Sequence, residues 1–352
     1  MSYYAGLDVS TKDTSIAIVD AQGKIVFETV AETDPKSIVD TLAASGFTHE
    51  KIGLEAGNLS FWLIRELKNL GIHALCIDSR QMSALLSTNI NKTDKNDARW
   101  IANAMRCNLY KEVHHKSQKA IEIGLQMGVR RTLINVRTIL KNTLRGHLKA
   151  YGIRLGNVSH GKYPERVRLK MASCEKSVQI AFEAILKSYE EVCRNVGAVE
   201  EILEELAKDE PVAQLLQSIP GVGATTALTY MSVIDDPHRF TDPRDVGAYI
   251  GCTPRQNSSG ETVRQGKISK CGSQELRSLL VDCARVMLTR CKEWSALRAW
   301  GLKIMRKHGL GKATTAVARK LAVTMLRMWQ DMKEFNKGKK KEKVREMTCH
   351  AV

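Results

Sequence analysis

Tyr4-Ala5-Gly6-Leu7-Asp8-Val9-Ser10 sets an acid inside an apolar run near the start of the chain. The run has the length and composition of a strand, so Asp8 stands where a buried side chain is expected. A second run, Ile52-Gly53-Leu54-Glu55-Ala56-Gly57, repeats the pattern with Glu55 as its acid. Two further acids, Asp94 and Asp97, lie in Asn91-Lys92-Thr93-Asp94-Lys95-Asn96-Asp97-Ala98. A carboxylate on a buried strand is costly unless something pairs with it. In a strongly basic chain, a divalent cation holding a phosphodiester is a good candidate for that partner.

Working outward, residues 1–112 read as an α/β unit. Tyr4–Val9, Thr14–Val19 and Lys24–Thr29 are three strands, with Asp20-Ala21-Gln22-Gly23 as a turn. Asp34-Pro35 opens a helix through Ala44, Asp34 as N-cap and Pro35 at its first position. Lys51–Ala56 is a strand, Ser60–Asn69 a helix and His73–Asp78 a strand. A helix from Thr93, its N-cap, runs to Cys107. Three hairpin-connected strands followed by alternating helix and strand is the order of the ribonuclease H-like (RuvC-like) fold. In that fold the first strand carries a central Asp, a later strand a Glu, and a helix end the last acids. Asp94 and Asp97, three residues apart, share a helical face. Asp8, Glu55, Asp94 and Asp97 are therefore the candidate metal ligands. They would hold two Mg²⁺ ions about 4 Å apart, with Mn²⁺ as a substitute.

Residues 113–210 read as long helices. From Val178, apolar positions run 178, 182, 185, 189, 192, 196, 199, 203 and 206, an unbroken 4-3-4-3 pattern. A sustained 3.5-residue period predicts a coiled-coil seam. Leu133, Val136, Leu140, Leu144 and Leu148 offer a stripe for an antiparallel mate. On that same helix Arg137, Lys141, Arg145 and Lys149 follow at i+4, either a solvated face or a row of phosphate contacts.

Residues 211–336 form a third, mainly helical unit. Leu215 to Gly223, ending Ile219-Pro220-Gly221-Val222-Gly223, matches a helix-hairpin-helix turn. Gly221 and Gly223 would expose backbone N–H groups to phosphate, without reading sequence. Helices follow over Ser273–Arg290 and Thr314–Phe335. Between turn and helices lies Gly251-Cys252-Thr253-Pro254-Arg255-Gln256-Asn257-Ser258-Ser259-Gly260-Glu261, continuing to Gly272. Its Gly, Ser and cations predict a loop. Arg255, Arg264, Lys267 and Lys270 would surround a phosphate there, and Ser259 is a candidate nucleophile. No His lies nearby, so a hydrolase triad is not indicated. Residues 337–352 hold six Lys or Arg by residue 345 and read as a basic disordered tail.

The bulk numbers narrow the class. A net charge of +16 over 352 residues points to a polyanion, nucleic acid before anionic membrane. Nine cysteines in odd number, none in a CxxC pair, argue against zinc ribbons and disulfide frameworks. A reducing cytoplasm fits. No signal peptide or membrane span is legible.

The acid quartet and the serine segment together resemble a bacterial insertion-sequence transposase family, the IS-one-ten family with a DEDD RuvC-like domain, relatives of the Piv-type DNA invertases. Gly6-Leu7-Asp8-Val9-Ser10, Leu54-Glu55-Ala56-Gly57 and Thr93-Asp94-Lys95-Asn96-Asp97-Ala98 match its acidic motifs. Pro254-Arg255-Gln256-Asn257-Ser258-Ser259-Gly260 matches its Pro-Arg-x-x-x-Ser-Gly motif, which makes Ser259 rather than Ser258 the functional serine. Cys252 stands where the family pattern suggests an apolar residue, a departure that touches packing. The resemblance implies a recombinase acting on donor and target DNA, guided by an element-encoded noncoding (bridge) RNA. It implies a homo-oligomer, dimer or tetramer, that joins the carboxylates of one protomer to the serine of another. Ser259 would form a covalent 5′-phosphoserine link. The competing expectations are a RuvC-like structure-specific nuclease with water as nucleophile, and a non-catalytic nucleic-acid scaffold.

Overall fold

A computed structural model describes residues 1–86, 93–259 and 262–338. Asn91-Lys92, Gly260, Glu261 and the basic tail beyond residue 338 lie outside the described residues. Contacts divide the chain into two compact units, Met1–Lys116 and Ser117–Val352.

The first unit is a mixed sheet between helices. Its elements are β1 (Tyr3–Val9), β2 (Asp13–Val19), β3 (Ile25–Glu32), α1 (Pro35–Ala44), β4 (His49–Glu55), α2 (Ser60–Asn69), β5 (Ala74–Ile77), α3 (Ser79–Leu86) and α4 (Asp94–Cys107). The strand order is β3-β2-β1-β4-β5. β1, β2 and β3 are an antiparallel meander, and β4 and β5 continue the sheet in parallel with β1. The helix start at Asp34 matches the sequence reading, its carboxylate accepting the Ser37 N–H at 2.9 Å. Only α3 has no counterpart in that reading.

Alternation along β1 assigns the two faces. Ala5 and Leu7 enter a core with Ile16, Ile18, Leu54, Ile38 of α1 and Leu63 of α2. Gly6 and Asp8 point to the opposite face, which α4 covers. A Cβ on Gly6 would stand 2.1 Å from the Ala98 carbonyl oxygen and 2.4 Å from the Ala102 nitrogen. On β4, a Cβ on Gly53 would meet the Met105 side chain at 2.6 Å. The two glycines are what allow α4 to lie directly on the sheet.

The second unit is mainly helical. It comprises α5 (Gln118–Ala150), α6 (Tyr163–Met171), α7 (Lys176–Asp209), α8 (Pro211–Gln217), α9 (Ala224–Ile234), a 3-10 turn (Pro237–Arg239), α10 (Asp245–Tyr249), β6 (Pro254–Ser259), β7 (Thr262–Ile268), α11 (Gln274–Thr289) and α12 (Ala296–Asp331). α5 and α7 pack antiparallel. Leu144 and Leu148 share a core with Phe182 and Leu186 at one end, and Ile123 and Met127 share one with Leu203 and Ala207 at the other. Every position of the 178–206 heptad pattern is buried or half-buried. Val136 departs from the proposed mating stripe and is 37% exposed.

Two sequence expectations are corrected. The segment read as a loop over 251–272 contains an antiparallel hairpin, β6 with β7. The last long helix begins at Ala296 rather than Thr314, broken at Gly309, whose φ of 81° and ψ of 167° are not helical.

Gly6→Ala forces α4 off β1, and the expected cost is about 1–3 kcal/mol or more in urea unfolding. Gly197→Ala on α7, where a Cβ meets nothing within 4 Å, is expected to stabilise by about 0.5–1 kcal/mol. Equal effects of the two substitutions would contradict the close approach.

Candidate active site

The register of β1 and β4 brings two of the four acids together. Leu7 pairs with Leu54 in parallel. One residue further on, Asp8, next to last in β1, and Glu55, last in β4, lie side by side on adjacent strands, separated by roughly one strand spacing of 4.8 Å. Both side chains project on the face of Gly6 and Gly53, the α4 face, and both are half-buried.

The direction of α4 decides which of its residues join them. Its C-terminal Arg106 lies beside Gly23, in the β2–β3 turn at the Tyr4 end of β1. Ala98 lies over Gly6, so the first turn of α4 reaches the Asp8 end of the strand. Lys95 of that turn lines a small pocket with Ser15, the residue paired with Asp8. Thr93 caps the helix as expected, its hydroxyl accepting the Asn96 N–H at 3.3 Å. Asp97 is 8% exposed, whereas Asp94 is exposed. Carboxylates in a first turn also complement the helix dipole.

α4 is tied to the far strand by an ion pair. Arg99 donates to both carboxylate oxygens of Glu28 on β3, one of the contacts at 2.8 Å, and to Asn96 Oδ1 at 3.1 Å. Hydrogen bonding from Arg99 holds the Glu28 carboxyl below its ordinary value, against the opposing effect of burial. This positioning pair was not foreseen from sequence, because 71 residues separate its members.

The donor set at this end is all carboxylate oxygen, the chemistry that suits a hard divalent cation such as Mg²⁺. Among the described residues, no three His, Cys, Asp or Glu side chains already converge as ligands of one ion.

Ser259 ends β6 and is exposed. Ser259 pairs with Thr262, and Asn257 with Arg264. Cross-strand partners and alternate residues share a face, so Ser259, Thr262, Asn257 and Arg264 stand together on one side of the hairpin. Ser258 is on the other side, where Gln256 donates to its hydroxyl at 3.2 Å. The register shifts between Pro254 and Gln256, and Arg255 at that irregularity donates to the Ser269 carbonyl at 3.3 Å. Lys267 and Lys270 sit at the hairpin base and line a cleft against α12.

The hairpin base is fixed by a residue that composition did not single out. Arg277 of α11 is 9% exposed and donates to the carbonyls of Ile250 at 2.8 Å and Cys271 at 3.1 Å. Gly251 and Gly272 let these segments meet. A Cβ on Gly251 would lie 2.0 Å from the Cys271 carbonyl oxygen, and one on Gly272 2.1 Å from that of Tyr249. Cys252 is buried in the core beneath, where burial pushes its thiol pKa up.

The remaining candidates fall elsewhere in the second unit. Gly221, with φ of 94°, and Gly223, the N-cap of α9, are both exposed around the buried Val222. Of the cationic row of α5, Lys149 is exposed, but the other three are only partly solvated. Arg137, Lys141 and Arg145 are half-buried. Lys141 lies over the Tyr163 ring at 5.3 Å, and Arg145 donates to the Gly156 carbonyl.

Two family models match the chain. One, described as the transposase IS116/IS110/IS902 family, covers residues 213–299, and a DEDD transposase model of the IS110 group covers residues 5–153. The transposase for insertion sequence element IS1111A of Coxiella burnetii is 30% identical over 326 residues, 90% of this chain and 86% of the relative. The transposase for insertion sequence element IS1328 of Yersinia enterocolitica is 27% identical, over 77% of this chain and 81% of the relative. A pilin gene-inverting protein of Moraxella lacunata is 38% identical over a shorter stretch, 19% of this chain and 21% of the relative.

The Glu28–Arg99 tie has a defined pH dependence. Because the folded carboxyl titrates below its ordinary 4.5, its contribution is complete above that value and is lost as pH falls through the lowered one. Glu28→Gln is expected to cost about 0.5 kcal/mol near neutrality, with the difference from wild type closing below pH 4.5. A difference in urea midpoint that does not change with pH would contradict the ion pair.

Proposed function

The chain belongs to the IS116/IS110/IS902 transposase family, and from that premise we propose that it cuts and rejoins DNA through Ser259. The observation that carries this reading is the pairing of two features. Carboxylates meet at one end of one sheet face, and an exposed serine shares a hairpin face with Arg264.

Ser259 Oγ attacks the scissile phosphorus and gives up its proton. The 3′ oxygen leaves as a hydroxyl, and the 5′ phosphate stays on the serine. Reversal by an incoming 3′ hydroxyl restores the serine and joins the new strand. The covalent link conserves the phosphodiester energy, so rejoining needs no nucleotide triphosphate. Arg264 supplies positive charge beside the attacking oxygen, and Arg255 a second guanidinium at the hairpin irregularity. Asp8, Glu55 and Asp97, with Asp94 at the helix start, would hold Mg²⁺. Bound there, the metal would stabilise charge on the phosphoryl oxygens and favour the ionised serine. In this reading the fold is RuvC-like, and α5 and α7 form an antiparallel coiled coil that supports an oligomer. The carboxylates and the serine of one reaction then come from different protomers. Donor and target would be chosen by pairing with an element-encoded RNA, as the family resemblance implies, while the exposed Gly221 and Gly223 would meet phosphate without reading sequence.

With Mg²⁺ and cognate DNA, the wild-type chain is expected to give a covalent protein–DNA adduct on a denaturing gel. Ser259→Ala should abolish the adduct, and Asp8→Ala and Asp97→Asn should lower strand cleavage at least about 10³-fold. Cleavage by Ser259→Ala at the wild-type rate would instead assign the attack to water and make the chain a RuvC-like nuclease. Sequencing the RNA that copurifies with the chain tests the guide: its loops should match the donor and target sites.

A further inference from the structure

A cleft of about 1170 Å³ lies between the base of the β6–β7 hairpin and α12. The hairpin contributes Lys267 and Lys270. α12 contributes Lys312, Arg319, Lys320 and Arg327. Lys312, the adjacent pair Arg319 and Lys320, and Arg327 follow one another at intervals of seven or eight residues, two helical turns, so they form a single stripe on one side of α12. Arg244 completes the rim and is paired with Asp242 at 2.7 Å. Among the described residues that line the cleft there is no Asp or Glu.

The floor has the opposite character. Cys252, Pro254, Ile268, Ala316, Val323 and Trp300 line it. Trp300 is half-buried, and its ring carries the Lys320 ammonium 4.6 Å from the centroid. Arg319 runs across Gly247, where an added Cβ would come within 3.1 Å of its Nε. The rim is thus partly preorganised by packing.

We propose that this cleft binds an unpaired polynucleotide strand, its phosphates on the cationic rim and a base against the apolar floor at Trp300. A duplex matches the rim alone, because its bases are stacked inward and the apolar floor would have no partner. An unpaired strand offers both surfaces, a charged backbone and base faces that stack on an aromatic ring. The cleft also opens at the root of the hairpin whose tip carries Ser259. From Pro254 to Ser259 is five strand steps, about 17 Å. A strand seated in the cleft could therefore continue along the hairpin toward the serine. This last point rests on the Ser259 reading; the binding itself does not.

The test is fluorescence anisotropy of the full chain with a labelled 12-nucleotide single-stranded DNA, the same sequence as RNA, and the same sequence as duplex. Lys312→Ala/Lys320→Ala is expected to weaken single-strand binding and to flatten its log K against log[salt] slope by about 1.4, two contacts of roughly 0.7 each. Trp300→Leu should weaken single-strand binding about 5- to 100-fold, with Trp300→Phe retaining most of the affinity and duplex binding unchanged in both. The ratio of DNA to RNA affinity identifies which strand the cleft holds. If Trp300→Leu fails to fold by circular dichroism, the exposed double variant and Trp300→Phe carry the test. Unchanged single-strand affinity in the double variant, or equal losses for duplex and single strand at Trp300, would overturn the inference. The Ser259 adduct is scored separately. An adduct without cleft binding removes this inference alone, and cleft binding without an adduct removes the serine reading alone.

Discussion

The first unit depends on how near α4 can come to β1. Helices normally rest on a sheet through a layer of side chains, about 10 Å away. Here Gly6 removes that layer at the point of crossing, and the backbone of Ala98 and Ala102 takes the space of the missing Cβ. Gly53 does the same on β4 for Met105. The consequence is chemical. Bringing the helix down on the strand lowers its first turn to the level of Asp8 and Glu55, and it buries Asp97 where a surface helix would have exposed it. A carboxylate so placed is stable only with compensating charge or hydrogen bonds.

The second unit solves a different problem, how to hold a polar hairpin still. Every described side chain of β6 is exposed, so burial contributes nothing to its order. What fixes it is the ladder to β7 and the base, where Gly251 and Gly272 permit two segments to touch and Arg277 ties their carbonyls together. The buried guanidinium is satisfied by backbone oxygens, which keeps its cost low. A rigid root with an exposed tip suits a nucleophile that has to meet a large substrate.

The legible and illegible parts of this chain divide along physical lines. The strands of the first unit were readable because one face of each is apolar, and the capped helices because Asp34 and Thr93 carry capping chemistry. The acids were readable as exceptions to those apolar runs. The hairpin reads as a loop in the sequence because Pro254 to Ser259 has no buried face and hence no alternation. The row Arg137, Lys141, Arg145 and Lys149 is a pattern of one helix alone. Whether that face meets water depends on Tyr163 of α6 and on α7, and no spacing within α5 contains that information. The cationic cleft is hidden for the same reason, since it joins residues of the hairpin to a stripe on α12 some forty or more positions away. The family resemblance named the transposase, and the comparisons bear that name out.

The central claim is that the serine on the β6–β7 hairpin becomes bonded to DNA. Its most direct measurement is peptide mass spectrometry of the chain after reaction with cognate DNA and Mg²⁺, followed by nuclease trimming. The account predicts a nucleotide joined through its 5′ phosphate to Ser259. Cleaved DNA with an unmodified Ser259, or a nucleotide joined to Ser258 or another residue, would contradict it.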